Sequence, residues 1–207
     1  MNRKPEIAFT ESQQDRSKKT LADLQEAAYE IVRQADPKIF TSRALAKKSG
    51  YSLGTLTRRL SSIENIFFWA IERGRESKFL EMAENISTFD PNLSVHHFVE
   101  TFVDKAFASI GEVNPRVMQF YEERFTKTHG LTADYYDYVD VVNEPYLLAC
   151  QRNQTNTFRE LSKNEARFIF KAALTLIERP FTSGDPLAGT EEHRQIAINA
   201  LTGLLAK

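Results

Sequence analysis

Apolar residues recur along this chain at steps of three and four, and hardly anywhere at steps of two. Between Arg16 and Gln34 they fall at Leu21, Leu24, Ala28, Ile31 and Val32, on the roughly 3.6-residue period of an amphipathic helix. Asp36-Pro37 closes that segment, because the residue before a proline avoids helical backbone angles. Thr41 or Ser42 can cap a short second helix to about Lys48, Gly50 breaks it, and Ser52 can cap a third through about Arg59. Ser62 opens a fourth that runs to about Ile86, with Glu64 in its first turn, where a negative charge is favoured. Further helical patterns cover roughly 93–110, 116–128, 133–152, 163–179 and 190–206. Pro145 falls inside one of these and is expected to kink or divide it, and Pro180–Gly189 is expected to end another. The pattern predicts an all-α fold of about nine helices with no period-2 strand and no internal repeat.

The second and third helices are short and lie close together, and their spacing is informative. Ala46 is small enough to let the two approach closely. Gly50, four residues on, stands at the turn, where a positive φ costs a glycine least. Leu56, six residues further, faces inward, and Leu45, Tyr51 and Leu60 complete a small core. A small residue, a glycine and an apolar residue at these intervals are the signature of a helix-turn-helix. The outward positions of the third helix are Leu53, Gly54, Thr55, Thr57, Arg58 and Arg59, all short, apolar or basic and none acidic. In a helix-turn-helix this helix enters the DNA major groove. There an arginine can grip guanine with two hydrogen bonds, and an apolar side chain can meet a thymine methyl. Leu53, Gly54, Thr55 and Arg58 are expected near base edges, with Ser52 capping their helix. Thr41, Ser42, Arg43 and Arg59 are expected on phosphates, the first three at a helix start with free backbone N–H groups.

Charge agrees once the chain is divided. The net charge is −1, but residues 1–60 carry twelve Lys and Arg against seven Asp and Glu, and residues 61–207 carry fifteen against twenty-one. A basic head on an acidic body suits a protein that presents one end to a polyanion. We divide the chain at 16–65, a DNA-binding domain, and 66–207, a ligand-binding and dimerisation domain, after a polar arm at Met1–Asp15.

These residues resemble the TetR family of transcription regulators. The family carries an Ala-Ala pair on its first helix, then T-x-x-x-I-A…G-V-S-x-G-T-L-Y-x-H-F-x-x-K-E-x-L. This chain has Ala27-Ala28, Thr41, Leu45-Ala46, Gly50-Tyr51-Ser52, Gly54-Thr55-Leu56, Leu60, Glu64 and Ile66 at the matching places, over about residues 18–70. It departs at Thr57, Arg59 and Ile63, where the family usually has Tyr, His and Lys, and keeps an apolar residue, Leu60, where the family has Phe. The resemblance implies weaker phosphate contact at 57 and 63, with Arg58 and Arg59 as the compensating charges. It also implies a homodimer on a palindromic double-stranded DNA operator, and a body that encloses a small-molecule effector.

The body offers candidates for both roles. Residues 163–179 and 190–206 each carry a broad apolar stripe, and Ala166, Ile169, Phe170, Ala173, Ile177, Ala197, Ala200, Leu201 and Leu204 are expected to form the dimer interface as a four-helix bundle. Phe102, Met118, Tyr121, Tyr135 and Tyr138 are expected to line a pocket for a small apolar or aromatic effector, since a tyrosine pairs an apolar face with a polar tip. The alternative to ligand-relieved repression is a constitutive DNA-binding protein that recruits a protein partner without an effector.

Other chemistry finds little support. His96 and His97 are adjacent and point different ways on a helix, and His129 and His193 have no partner nearby in sequence. No metal and no cofactor is expected. Cys150, the single cysteine, excludes an intrachain disulfide and reads as a buried inert thiol. No nucleophile motif or phosphate-cradling glycine loop is present, so an enzyme is not expected. The chain also has no apolar run of membrane-spanning length and no signal peptide, which predicts a cytoplasmic protein with no membrane partner.

Overall fold

The computed structural model describes residues 15–34, 36–60, 62–129 and 137–207. The polar arm up to residue 14, and Tyr135 with it, lie outside these. The described residues form nine α-helices in order: α1 (Asp15–Gln34), α2 (Ser42–Ser49), α3 (Leu53–Arg59), α4 (Ile63–Ser87), α5 (Val95–Gly111), α6 (Pro115–His129), α7 (Asn143–Arg152), α8 (Lys163–Ser183) and α9 (Glu191–Leu205). Two 3₁₀ turns, Pro37–Ile39 and Asp137–Val142, precede α2 and α7. An isolated antiparallel bridge pairs Phe158 with Ala206. The fold is all-α.

The chain forms two compact units. The first comprises the described parts of Met1–Arg75 and Val113–Thr132, so it holds α1, α2, α3, the first half of α4 and α6. Its core takes Leu24, Ala28, Ile31 and Val32 from α1, Leu45 and Leu56 from the short pair, Ile66, Phe67 and Phe68 from α4, and Val117 and Tyr121 from α6. Aromatic rings link the elements. Phe40, just before α2, stacks on Phe67 with centroids 4.4 Å apart and meets Phe120 of α6 edge-on at 5.7 Å. Phe68 meets Tyr121 edge-on at 5.6 Å. Arg116 binds Asp36 at 3.0 Å, which ties the start of α6 to the turn that leads into α2. The backbone N–H of Lys38, and then the Arg116 guanidinium, hold the Asp36 carboxyl below the usual aspartate value. Gly74 of α4 lies against α1: a β-carbon there would come within 3.1 Å of the Tyr29 ring.

The second unit comprises Glu76–Glu112 and the described part of Ala133–Lys207. Its core is contiguous through the second half of α4, then α5, α7, α8 and α9. Tyr146, Phe98, Phe102, Phe158 and Phe170 form its centre, with ring centroids 5.1 to 6.3 Å apart. Burial pushes the Tyr146 hydroxyl well above the usual tyrosine range and also raises the Cys150 thiol, which is half-buried beside it.

Of two prolines inside helical patterns, Pro145 acts as its position predicts and Pro180 does not. Pro145 divides its segment rather than kinking a helix: a 3₁₀ turn ends at Val142, and Pro145 then sits in the first turn of α7, where a missing N–H leaves no hydrogen bond unmade. Pro180 does not end α8, which continues to Ser183 and stops at Gly184 in the left-handed conformation. A proline at 180 leaves the Leu176 carbonyl without its helical donor. His193 of α9 supplies one, its Nε2 lying 3.0 Å from that oxygen, while the Gly189 N–H donates to its Nδ1 at 3.2 Å. The two bonds fix the ring as the neutral Nε2–H tautomer and fasten α9 to the end of α8.

An ion network joins the second 3₁₀ turn to α8: Lys171 and Arg167 reach Asp137 at 2.6 and 3.1 Å, and Arg167 reaches Asp140 at 3.1 Å. Lys171, and after it Arg167, hold the Asp137 carboxyl below its ordinary value of 3.8. A carboxyl lowered by folding stabilises the native state above its unfolded value and loses that contribution as pH falls through its folded one. Asp137→Asn is therefore expected to lower stability at neutral pH, and the gap to the unsubstituted protein should close as pH drops below about 4. Urea unfolding across that pH range measures it. A gap that stays constant with pH contradicts the assignment.

Candidate nucleic-acid interface

Capping makes α2 and α3 two discrete helices. Thr41 accepts the Ala44 N–H at 3.2 Å, and Ser52 accepts the Thr55 N–H at 3.2 Å. Gly50 ends α2 at φ +75°, with its N–H on the Ala46 carbonyl. Open space surrounds the position a β-carbon would take there, so backbone conformation and not crowding is what favours glycine. Leu45, Leu56 and Leu60 are buried, as the helix-turn-helix spacing predicts. The Tyr51 hydroxyl donates to Asp23 of α1 at 2.6 Å, which anchors the turn and holds that hydroxyl above the ordinary tyrosine value.

The predicted DNA-contacting residues come together on α2, α3 and the turn between them. Thr41, Arg43, Ser52, Leu53, Gly54, Thr57 and Arg58 are exposed, and Ser42, Thr55 and Arg59 are half-buried. Several are already engaged within their own helix. Ser52 and Thr55 share a hydroxyl–hydroxyl bond of 3.0 Å, Thr57 Oγ1 donates to the Leu53 carbonyl at 3.0 Å, and Arg58 Nε donates to the Gly54 carbonyl at 3.1 Å. Leu53 is 46% exposed at the first position of α3, a large apolar side chain held out to solvent. A β-carbon on Gly54 would meet nothing nearer than the Ser52 hydroxyl at 3.9 Å. Packing thus does not require glycine at 54, and its effect is to leave the outer face of α3 low.

The body residues are placed differently. Met118 and Tyr121 are buried in the first unit, where Tyr121 donates to Glu72 and lies under the Arg75 guanidinium, 4.7 Å from its ring centroid. Phe102 is in the core of the second unit. Tyr138 is half-buried there, edge-on to Phe79 at 5.2 Å and donating to the buried Glu178 at 3.2 Å. A cleft of about 120 Å³ lies between α4 and α5, lined by Lys78, Lys105, Glu81 and Glu112 among others. It is smaller than the roughly 300 Å³ at which small-molecule pockets begin.

On α8 and α9, most residues expected at a dimer interface face inward. Ala166, Ile169, Phe170, Ala173, Ile177, Ala197 and Leu201 are buried in the core of their own unit and so offer no surface to a partner. Of the expected interface residues only Ala200 and Leu204 remain exposed. The outward stripes are Phe168, Ala172 and Thr175 on α8, and Ile196, Ala200, Gly203 and Leu204 on α9. Phe168 is 74% exposed. The apolar stripe of α8 was too broad for sequence alone to tell which edge faces out.

An all-α chain whose N-terminal unit carries a capped helix-turn-helix defines a class, that of helix-turn-helix proteins with a helical body. Comparison with solved structures narrows the fold. The chain is similar to the crystal structure of a protein from Mesorhizobium loti MAFF303099 assigned to the TetR family of transcriptional regulators. The TM-score is 0.63 at 12% identity, over 94% of this chain and 100% of that one. The chain therefore has the TetR-type fold. No protein-family model matches the sequence, and no curated protein matches it significantly. No helix among the described residues is long and apolar enough to cross a membrane, and no group of three His, Cys, Asp or Glu among them could hold a metal ion.

Replacing Gly50 by Val should cost about 1–2 kcal/mol, because a β-branched residue resists a left-handed conformation, and Thr41→Ala should cost about 1 kcal/mol through loss of the cap. Chemical denaturation measures both. A neutral Gly50→Val would show that the turn does not depend on its left-handed glycine.

Proposed function

We propose that the protein is a transcription regulator that reads duplex DNA with α3, works as a homodimer, and is released by a small apolar or aromatic effector bound in its body. The observation that carries this reading is the exposed, acid-free face of α3, set by its own caps beside a first helix whose start is basic and hydroxylated. The TetR-type fold supports it, since the similar Mesorhizobium loti protein is assigned to a family of transcriptional regulators. In this reading Leu53 and Gly54 meet base edges, and Arg58 leaves the Gly54 carbonyl to grip guanine. Thr41, Ser42, Arg43 and Arg59 hold phosphate.

A two-fold dimer presents α3 twice, about 34–36 Å apart for half-sites one DNA turn apart, so the operator is a partial palindrome. The outward stripes of α8 and α9 form the dimer seam, with Phe168 as its aromatic anchor. The effector favours one of two dispositions of the reading heads, and its effect is limited to its differential affinity for them. The action is repression in the cytoplasm, with no catalytic step.

Two sets of variants test the proposal. Arg58→Ala should weaken operator binding by about 1–3 kcal/mol and relax the preference at particular base pairs, whereas Arg43→Ala should weaken all sequences alike. Titration against intact and mutated operators separates them, and a reading head at residues 41–60 is excluded if neither changes affinity. For the dimer, Phe168→Asp with Leu204→Asp should give a folded chain of 23.7 kDa by light scattering. Ala173→Arg should unfold its unit instead, because it buries a charge. A dimer that survives the double substitution rules out this seam.

A further inference from the structure

Acids and cations of the first unit are divided unevenly. Glu26 binds Arg73 at 3.3 Å, Glu30 binds Lys48, and Asp36 binds Arg116 at 3.0 Å. Asp23 accepts the Tyr51 hydroxyl. These four acids, the nearest on the N-terminal side of α2, are thus committed within their own unit. Lys38, Arg43 and Lys47 are exposed and make no ion pair among the described residues. Arg43 and Lys47 stand one turn apart on α2, where like charges repel. Lys47 and Lys48 are neighbours in the last turn of α2, and both are favoured there by the helix dipole. Of these two neighbours it is Lys48 that binds a carboxylate, Glu30, among the described residues.

We infer that Lys38 and Lys47, neither of which the helix-turn-helix register assigns to DNA, extend the contact surface by holding backbone phosphates beside Arg43, and that Lys48 takes no part. The inference rests on the DNA-reading function proposed above. The first helix of a helix-turn-helix crosses the sugar-phosphate backbone, so exposed cations on α2 and on the turn that feeds it face the densest row of negative charge a duplex offers. Docking relieves the repulsion between Arg43 and Lys47. Lys48 has already given its charge to Glu30, so moving it to a phosphate would strip that carboxylate of its cation.

The paired lysine is a built-in control. Random-sequence duplex DNA is titrated with the unsubstituted protein and with Lys38→Ala, Lys47→Ala, Lys47→Arg and Lys48→Ala at several salt concentrations, and each variant is checked by its melting curve. Each phosphate contact contributes about 0.9 to the slope of log affinity against log salt. Lys38→Ala and Lys47→Ala should each flatten that slope by about one unit per head, or about two per dimer. Lys47→Arg should keep it, Lys48→Ala should leave it unchanged, and no variant should alter the bases preferred on a selected operator. Unchanged slopes in Lys38→Ala and Lys47→Ala overturn the inference, as does a slope lost equally in Lys48→Ala. Loss of binding to anionic phospholipid vesicles with no change on DNA would assign the row to a lipid surface and overturn it too. An unsubstituted protein that binds no duplex DNA refutes the reading function itself, which is a separate and distinguishable result.

Discussion

Phe40 lies flat on Phe67 and meets Phe120 edge-on, and the presentation of α2 and α3 depends on that junction. The three rings come from the turn before α2, from α4 and from α6. Each aromatic pair of this kind contributes about 0.5–1.5 kcal/mol beyond the area it buries. The Asp36–Arg116 bridge clamps the same turn to α6 from outside. The segment that launches α2 is therefore fixed by two helices that are distant in sequence, and α2 with its caps fixes α3 in turn. A seven-residue α3 would not be stable in isolation, because helix nucleation is costly and short helices depend on tertiary packing. Its orientation is inherited from the junction.

This arrangement makes α6 part of the unit that carries α2 and α3. A helix that moved relative to α4 would disturb Phe120 against Phe40, and Tyr121 against Glu72. Under the proposed function, α2 and α3 can thus be biased from α6, away from the face proposed to meet DNA. A regulator needs such an element with two dispositions, and any effector acts only through its preference between them. Half-buried Tyr138 donates to buried Glu178, with Phe79 against the tyrosine ring, and so adds to the polar groups that Asn143, Thr182 and His193 place inside the second unit.

Local chemistry was legible in the sequence, and long-range pairing was not. Thr41, Gly50 and Ser52 announce their caps and turn because each acts on backbone within three or four residues. The inward leucines at 45, 56 and 60 follow from helical spacing. By contrast, the bond between Asp36 and Arg116 spans eighty residues and has no local signature. Pro180 reads as a stop only until His193 is seen to take over the carbonyl it leaves orphaned. The apolar stripe of α8 runs through Ala166, Ile169, Phe170, Ala173 and Ile177, and its most apolar edge turned out to face the unit's own core. Phe168, two residues before Phe170, was left outside. Periodicity finds the stripe, but packing decides which edge of it is covered.

The central claim is that α3 reads base sequence, and selection of bound duplexes from a random-sequence DNA pool tests it most directly. Enrichment of a partial palindrome is expected, with half-sites one helical turn apart, guanine within reach of Arg58 and thymine within reach of Leu53. A pool that emerges from repeated rounds without any enriched sequence would contradict it.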